Sequence, residues 1–322
     1  MLRDILILGL AMAAQTLPAQ VPVAETPEQL FKLSVTAELV LLDVSVKSVT
    51  GEHVSDLTKS NFRVYEGGKL QTISHFANED VPVTAGLVID TSGSMRTKSP
   101  EVIMAALAFI GKSNRSDEIF VVNFSDGVSL GLPTNIPFTD DVNQLHAALS
   151  RGVPQGRTAL NDAIVFSLGH LEQGRRDRRT LVLVSDGGDN SSVHRSADVM
   201  RAVLESRATI YTIGVFDEAD RDRNPGLLRH LAEISGGESF LEVELSAVNG
   251  ICRQIASDIR TRYTIGYVPV RSGEQGALRK IKVTASTPAG NKLVVHTRTS
   301  YILPPQHSVV AQDGETRRSG GR

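Results

Sequence analysis

Gly86-Leu87-Val88-Ile89-Asp90-Thr91-Ser92-Gly93-Ser94-Met95 is the stretch on which the reading of this chain turns. A short apolar run ended by Asp and Gly has the pattern of a buried strand emptying into a polar loop. The loop then offers one carboxylate and two hydroxyls at alternate positions, Asp90, Ser92 and Ser94. A rigid turn can aim three such oxygens at one point. Oxygen donors carrying little formal charge suit a hard divalent cation, Mg²⁺ before others. Taken alone, D-x-S-x-S is a weak pattern, because Asp, Ser and Gly populate any loop. A turn followed by a helix cap accounts for it as well.

Two later segments answer it. Gly156-Arg157-Thr158-Ala159-Leu160-Asn161-Asp162-Ala163 opens a helix with a Thr at its entrance, and Leu181-Val182-Leu183-Val184-Ser185-Asp186-Gly187-Gly188 is a second buried strand ending in Asp. In order and spacing, Asp90, Ser92 and Ser94, then Thr158, then Asp186 resemble the von Willebrand factor type A (vWA) family. Its metal-ion-dependent adhesion site combines D-x-S-x-S with a Thr and an Asp on two later loops. The resemblance runs from about Val81 to Arg262. It implies a metal site at these residues, holding Mg²⁺ with Mn²⁺ or Ca²⁺ as alternatives. It also implies a binding role without catalysis, in which the metal captures an Asp or Glu carboxylate of a protein partner. Charge counting agrees. With Ser92, Ser94 and Thr158 as neutral ligands, and Asp90 and Asp186 acting directly or through water, the cation stays electron-poor and an outside carboxylate gains a strong bond. Asp189 and Asn190 can orient the third loop or its waters, although loop solvation is the preferred explanation for both.

Strands and helices alternate through residues 81–261, which predicts a doubly wound, mostly parallel six-stranded sheet with helices on both faces. The expected strands are Thr84–Ile89, Glu118–Phe124, Val128–Leu132, Thr180–Val184, Thr209–Val215 and Glu238–Val243, with the second and third forming an antiparallel edge hairpin. Helices are expected near Pro100–Ile110, Asp141–Ser150, Ala159–Glu172, Ser196–Ser206, Pro225–Ile234 and Ser246–Arg260, the first capped by Ser99. Strand order 3-2-1-4-5-6 would place the ends of the first and fourth strands beside the point where the winding reverses, where ligands of such sheets gather. Asp90, Asp186 and Thr158 then share one crevice.

Residues 33–80 and 262–303 are all-β, and neither has enough strands to enclose a core alone. They are expected to pair into one β-sandwich into which residues 81–261 are inserted, an arrangement that resembles vWA-related domains of Acidobacteria. A phase flip at Leu39–Leu42 predicts a bulge or a change of partner. Residues 1–20 have the outline of a signal peptide, so export to a periplasmic or extracellular space is expected; the apolar core is too short for a stable membrane span. Residues 21–32 read as an extended linker and 304–322 as a disordered tail.

The composition narrows the function classes. Across 322 residues the net charge is −2 and Trp is absent, which disfavours a nucleic-acid partner. The single Cys, Cys252, has no partner and falls on the apolar stripe of the last helix. Phosphatase chemistry needs an Asp where Ser92 stands. Gly111-Lys112-Ser113 ends a helix instead of opening one, and no G-x-S-x-G elbow occurs. The eight histidines show no zinc-binding spacing, and His170 and His194 read as surface residues. Arg175-Arg176-Asp177-Arg178-Arg179 reads as the basic close of a helix, with a docking patch as the alternative. The competing readings are a metal-dependent hydrolase and an envelope protein whose metal only braces loops.

Overall fold

The computed structural model describes residues 39–216, 222–241, 244–269 and 276–302. The expected signal peptide, the linker, residues 33–38 and 270–275 of the all-β flanks, and the tail lie outside the described residues.

The N-terminal flank contributes β1 (Val40–Lys47), β2 (Phe62–Glu66), β3 (Lys69–Gln71) and β4 (Ile73–Ala77). The middle of the chain then alternates: β5 (Val83–Asp90), α1 (Ser99–Ile110), β6 (Glu118–Phe124), β7 (Val128–Leu130), α2 (Val142–Ser150), α3 (Leu160–Leu171) and β8 (Arg178–Ser185). It continues with α4 (Ser196–Glu205), β9 (Thr209–Gly214), α5 (Pro225–Ser235), β10 (Ser239–Phe240) and α6 (Leu245–Arg260). The C-terminal flank adds β11 (Tyr263–Tyr267), β12 (Leu278–Ala285), β13 (Val294–His296) and β14 (Ser300–Ile302).

The central sheet has the order β10-β9-β8-β5-β6-β7, so its strands taken along the chain lie 3-2-1-4-5-6, the order that sets the ends of the first and fourth strands beside the reversal of winding. All neighbours are parallel except the β6–β7 hairpin at the edge. Every residue of β5 and β6 is buried, which is why both read as continuous apolar runs. Gly86 is required at the centre. It lies opposite Phe120 on one side and Leu181 on the other, and a Cβ there would come within 2.4 Å of the Phe120 ring. The freed space lets the Phe120 side chain lie across the strand.

Three local expectations change. Ser99 is the first residue of α1 instead of its cap; Lys98 precedes it with helical backbone, and its carbonyl already accepts from Val102 N. His170 is buried at 7% exposure, set among Phe120, Phe138 and Phe166, with Nε2 at 2.9 Å from the Pro137 carbonyl. The imidazole serves there as an aromatic spacer with one nitrogen at hydrogen-bond distance from a carbonyl, not as a surface group. The basic run does not close a helix either: α3 ends at Leu171, and Arg178 and Arg179 already belong to β8.

The flanking strands form two four-stranded antiparallel sheets, β13-β1-β11-β4 and β14-β12-β2-β3. Each mixes strands from both ends of the chain. Their inner faces meet in a separate core built on Leu42, Val44, Phe62, Val64, Tyr263 and Ile265, with tilted contacts among Phe62, Phe76 and Tyr263.

A buried polar clasp fastens this sandwich to the central sheet. Asp258 of α6 accepts from Ser45 of β1, from Tyr211 of β9 and from Arg262, whose Nη2 lies 3.1 Å away. Arg262 also donates to the Gly236 carbonyl at 2.9 Å and to Tyr211 Oη at 3.0 Å, and Lys47 pairs with Glu238 nearby. Burial alone would push the Asp258 carboxyl up. The Arg262 charge and the donated hydrogen bonds outweigh it and hold the group down at about 2.

Two outcomes follow from this packing. Because the folded Asp258 carboxyl sits near 2 against an ordinary 3.8, the clasp contributes fully above about pH 4 and fades as pH falls toward 2. Urea midpoints should therefore fall more between pH 4 and 3 for the wild type than for Asp258→Asn. Asp258→Asn should lower stability at pH 7 by about 3–5 kcal/mol, because Arg262 is left buried without its countercharge. Equal midpoints for the two proteins at pH 7 would contradict the clasp. Gly237→Ala places a Cβ 2.0 Å from the Ile210 carbonyl oxygen, a backbone atom that cannot rotate away. A loss of at least about 1–3 kcal/mol is expected, read from the denaturant midpoint.

Candidate metal centre

The site is built from the loops that follow β5 and β8 and from the loop between α2 and α3, which reaches the β6–β7 turn through Ala159 N, donating to the Ser125 carbonyl. Parallel pairing sets Ile89 opposite Val184, so Asp90 and Ser185 leave adjacent strands side by side. Ser185 Oγ donates to Asp90 Oδ2 at 2.7 Å, and Ser92 N donates to Asp90 Oδ1 at 2.9 Å. The second of these closes the D-x-S turn on its own carboxylate. Beyond it Gly93–Met95 forms a single 3-10 turn that delivers the chain into α1.

That turn brings the hydroxyls together. Ser92 Oγ and Ser94 Oγ lie 3.1 Å apart, and Ser94 Oγ donates to Asp186 Oδ2 at 2.7 Å. Asp90, Ser92, Ser94 and Asp186 are thus one connected set. Asp186 is held from the other side by Gly188 N, which donates to its Oδ1 at 2.9 Å.

Thr158 reaches the set through backbone. Gly93 N donates to the Gly156 carbonyl at 3.1 Å, joining the first loop to the loop that carries Thr158. Thr158 is buried, its N–H donates to Asn190 Oδ1 at 2.9 Å, and its carbonyl accepts from Asn190 N and Ser191 N. Among the described residues its hydroxyl makes no hydrogen bond. Asp189 accepts from Leu160 N at 3.1 Å, from Asn161 Nδ2 at 2.6 Å and from Ser192 Oγ at 2.6 Å. It therefore caps the start of α3 and ties it to the third loop. Asn190 does the same from Thr158 to Asp222, whose Oδ2 accepts from Asn190 Nδ2 at 3.1 Å. Both residues orient loops.

The electrostatics are unusual. Asp90 and Asp186 are 2% and 3% exposed, and no Lys, Arg or His forms an ion pair with either among the described residues. Burial first, and then the Asp186 charge, pushes the Asp90 carboxyl up to about 6, against the pull of the Ser92 and Ser185 hydrogen bonds. Two buried carboxylates linked by hydroxyls and short of positive charge fit a hard cation with oxygen ligands. Among the described residues no three His, Cys, Asp or Glu side chains converge as a metal-ligand group, so a cation here would depend on the hydroxyls beside the two carboxylates.

One feature of the rim escapes a reading by spacing. Asp162, in the first turn of α3, accepts from Val193 N, from His194 N and from His194 Nδ1, the last at 2.7 Å. The imidazole is fixed by a carboxylate while the ring stays half exposed. Its partner lies more than thirty positions away along the chain, so only an Asp at a helix start facing a His before the next helix hinted at it.

Among solved structures, a von Willebrand factor type A protein from Catenulispora acidiphila is similar over 84% of this chain and 74% of its own, at 14% identity and a TM-score of 0.50. BatB from Bacteroides thetaiotaomicron aligns with 55% of this chain and 98% of its own, at 16% identity and TM-score 0.41. Proximal thread matrix protein 1 of the mussel byssus, described with a zinc-occupied MIDAS motif, aligns with 56% of this chain and 49% of its own, at 18% identity and TM-score 0.44. No curated protein matches the chain. Residues 86–189, from the Gly at the centre of β5 to the Asp that caps α3, match the von Willebrand factor type A domain family, and the chain carries a domain of that family.

Proposed function

We propose that the chain is an exported, non-enzymatic binding module in which an Asp or Glu side chain of a protein partner is captured at a divalent cation. Asp90, Ser92, Ser94, Thr158 and Asp186 hold the cation, Mg²⁺ first, with Mn²⁺ or Ca²⁺ as alternatives. The observation that carries this reading is the buried pair Asp90 and Asp186, which meets only hydroxyls and backbone N–H groups. A bound hard cation offers an open position at which an incoming carboxylate replaces a water.

The residues divide the work. Asp90 and Asp186 supply the negative charge that makes the crevice attractive to a cation. Ser185, Gly188 and the Ser92 N–H fix the directions of those carboxylates. Asp189 and Asn190 keep Thr158 in place by bonding the start of α3 and the third loop together. Export rests on the outline of residues 1–20. Among the described residues, no helix is long and apolar enough to cross a membrane.

A hydrolase is the second reading, and the Asp162–His194 pair is what favours it, since an imidazole oriented by a carboxylate can act as a base. Phosphatase and esterase assays separate the two. Turnover abolished by both Asp90→Ala and His194→Ala would displace the binding reading.

Mg²⁺ should raise the melting temperature of the wild type in a saturable way, an effect expected to vanish in Asp90→Asn and to weaken about ten-fold or more in apparent affinity in Ser94→Ala. Binding of an Asp/Glu-rich peptide should require Mg²⁺ and disappear with EDTA. Peptide binding that persists in EDTA, or a melting temperature indifferent to Mg²⁺, Mn²⁺ and Ca²⁺ alike, would refute the proposal.

A further inference from the structure

At the opposite end of the central sheet from the metal centre, a cleft of about 460 Å³ opens between the starts of β5, β8 and β9 and the sandwich strands β1, β4 and β11. Arginines from three separate parts of the chain line it: Arg175, Arg176 and Arg178 from the basic run, Arg207 before β9, and Arg298 before β14. Two of them are already matched. Arg175 pairs with Glu118 at 3.1 Å, and Arg178 lies 3.4 Å from Asp43.

The other three are not. Arg176, Arg207 and Arg298 form no ion pair among the described residues, although Glu79 and Asp177 also line the cleft. Arg176 Nε is buried without a hydrogen-bond partner. Arg298 is anchored by two carbonyls, donating from Nε to Ser300 O at 3.2 Å and from Nη2 to Leu204 O at 3.1 Å, with its guanidinium over the Tyr301 ring. Its position is fixed by the fold, and the fold brings Arg207 beside it. Burial first and then the Arg207 charge hold Arg298 down at about 10. Two like charges are thus held together at the wall of a concave space, where Asp43 offsets them only in part and five arginines face three carboxylates, an arrangement an anion would relieve.

We propose that this cleft binds a small oxyanion with at least two negative charges, of the phosphate or polycarboxylate class, through Arg176, Arg207 and Arg298. Guanidinium forks match such oxygens in pairs, and three of them from separate segments select for more than one anionic group. The enclosed volume favours a small molecule over an extended chain. The site is separate from the metal centre, so it stands whether or not a cation binds there.

Isothermal titration of the full chain with inorganic pyrophosphate and with citrate, in EDTA and at fixed ionic strength, tests it. Saturable binding of one or both at a single site, with a rise in melting temperature, is the expected result. Arg207→Gln and Arg176→Gln should each weaken it about ten-fold or more, the loss of one charge-assisted contact. Arg253→Gln, exposed on α6 and outside the cleft, should bind as the wild type does. No binding beyond a chloride control would overturn the proposal, and so would equal affinities for Arg207→Gln, Arg253→Gln and wild type.

Discussion

The parallel pairing of β5 with β8 is the constraint on which the rest of the molecule depends. It sets Ile89 against Val184 and thereby sends Asp90 and Asp186 out of the sheet as neighbours. Both carboxylates are then buried at the point where the winding of the sheet reverses. Burying one carboxylate beside another is costly unless something neutralises them. The raised Asp90 carboxyl, driven by burial and by the Asp186 charge, expresses that cost directly. Hydroxyls and N–H groups from three loops soften it without removing it. That residual imbalance supports a cation as the missing partner and is the physical root of the proposed function.

The opposite end of the same sheet shows the complementary imbalance. There Arg207 and Arg298 are held together with too few carboxylates around them. At this arginine end Arg298 is half-buried and Arg207 exposed, while the carboxylate end departs from the usual rule that buried charges arrive paired. The clasp at Asp258 obeys it, with one carboxylate, one guanidinium, and hydroxyls from Ser45 and Tyr211 filling the remaining sites. The contrast separates a network that fastens two parts of the fold from sites that lack a counterion.

The mixing of flanks has a mechanical consequence. Each sandwich sheet contains strands from both ends of the chain, so the chain leaves the sandwich at β4 and returns to it at β11. These two strands pair with each other, with Thr264 opposite Ala77, which holds the entry and exit of the central region side by side. Asp258 and Arg262, at the exit, then reach Ser45 and the β9 side chain Tyr211.

Much of this was legible in the residues themselves. Continuous apolar runs marked β5, β6 and β8 because strands covered on both faces have no polar side to show. The alternation of strands and helices then implied a mostly parallel sheet covered on both faces, and the endings of two strands pointed to Asp90 and Asp186. Local chemistry was less reliable. Ser99 looked like a cap, yet the 3-10 turn before it already supplies helical backbone, a property of three-dimensional path and not of residue type. His170 looked exposed because its aromatic neighbours Phe120 and Phe138 are distant in sequence. The Asp162–His194 pair, the Asp258 clasp and the arginine cleft were likewise invisible, since each joins side chains from different elements. Periodicity therefore determined the strands and helices of a mostly parallel sheet, and the resemblance of three separated loops to the vWA motif, not composition, singled out the candidate oxygen donors. Which charges are buried together, which are satisfied and which are left facing a cleft was decided only by the folded chain, because electrostatic balance depends on distance in space and not along the sequence.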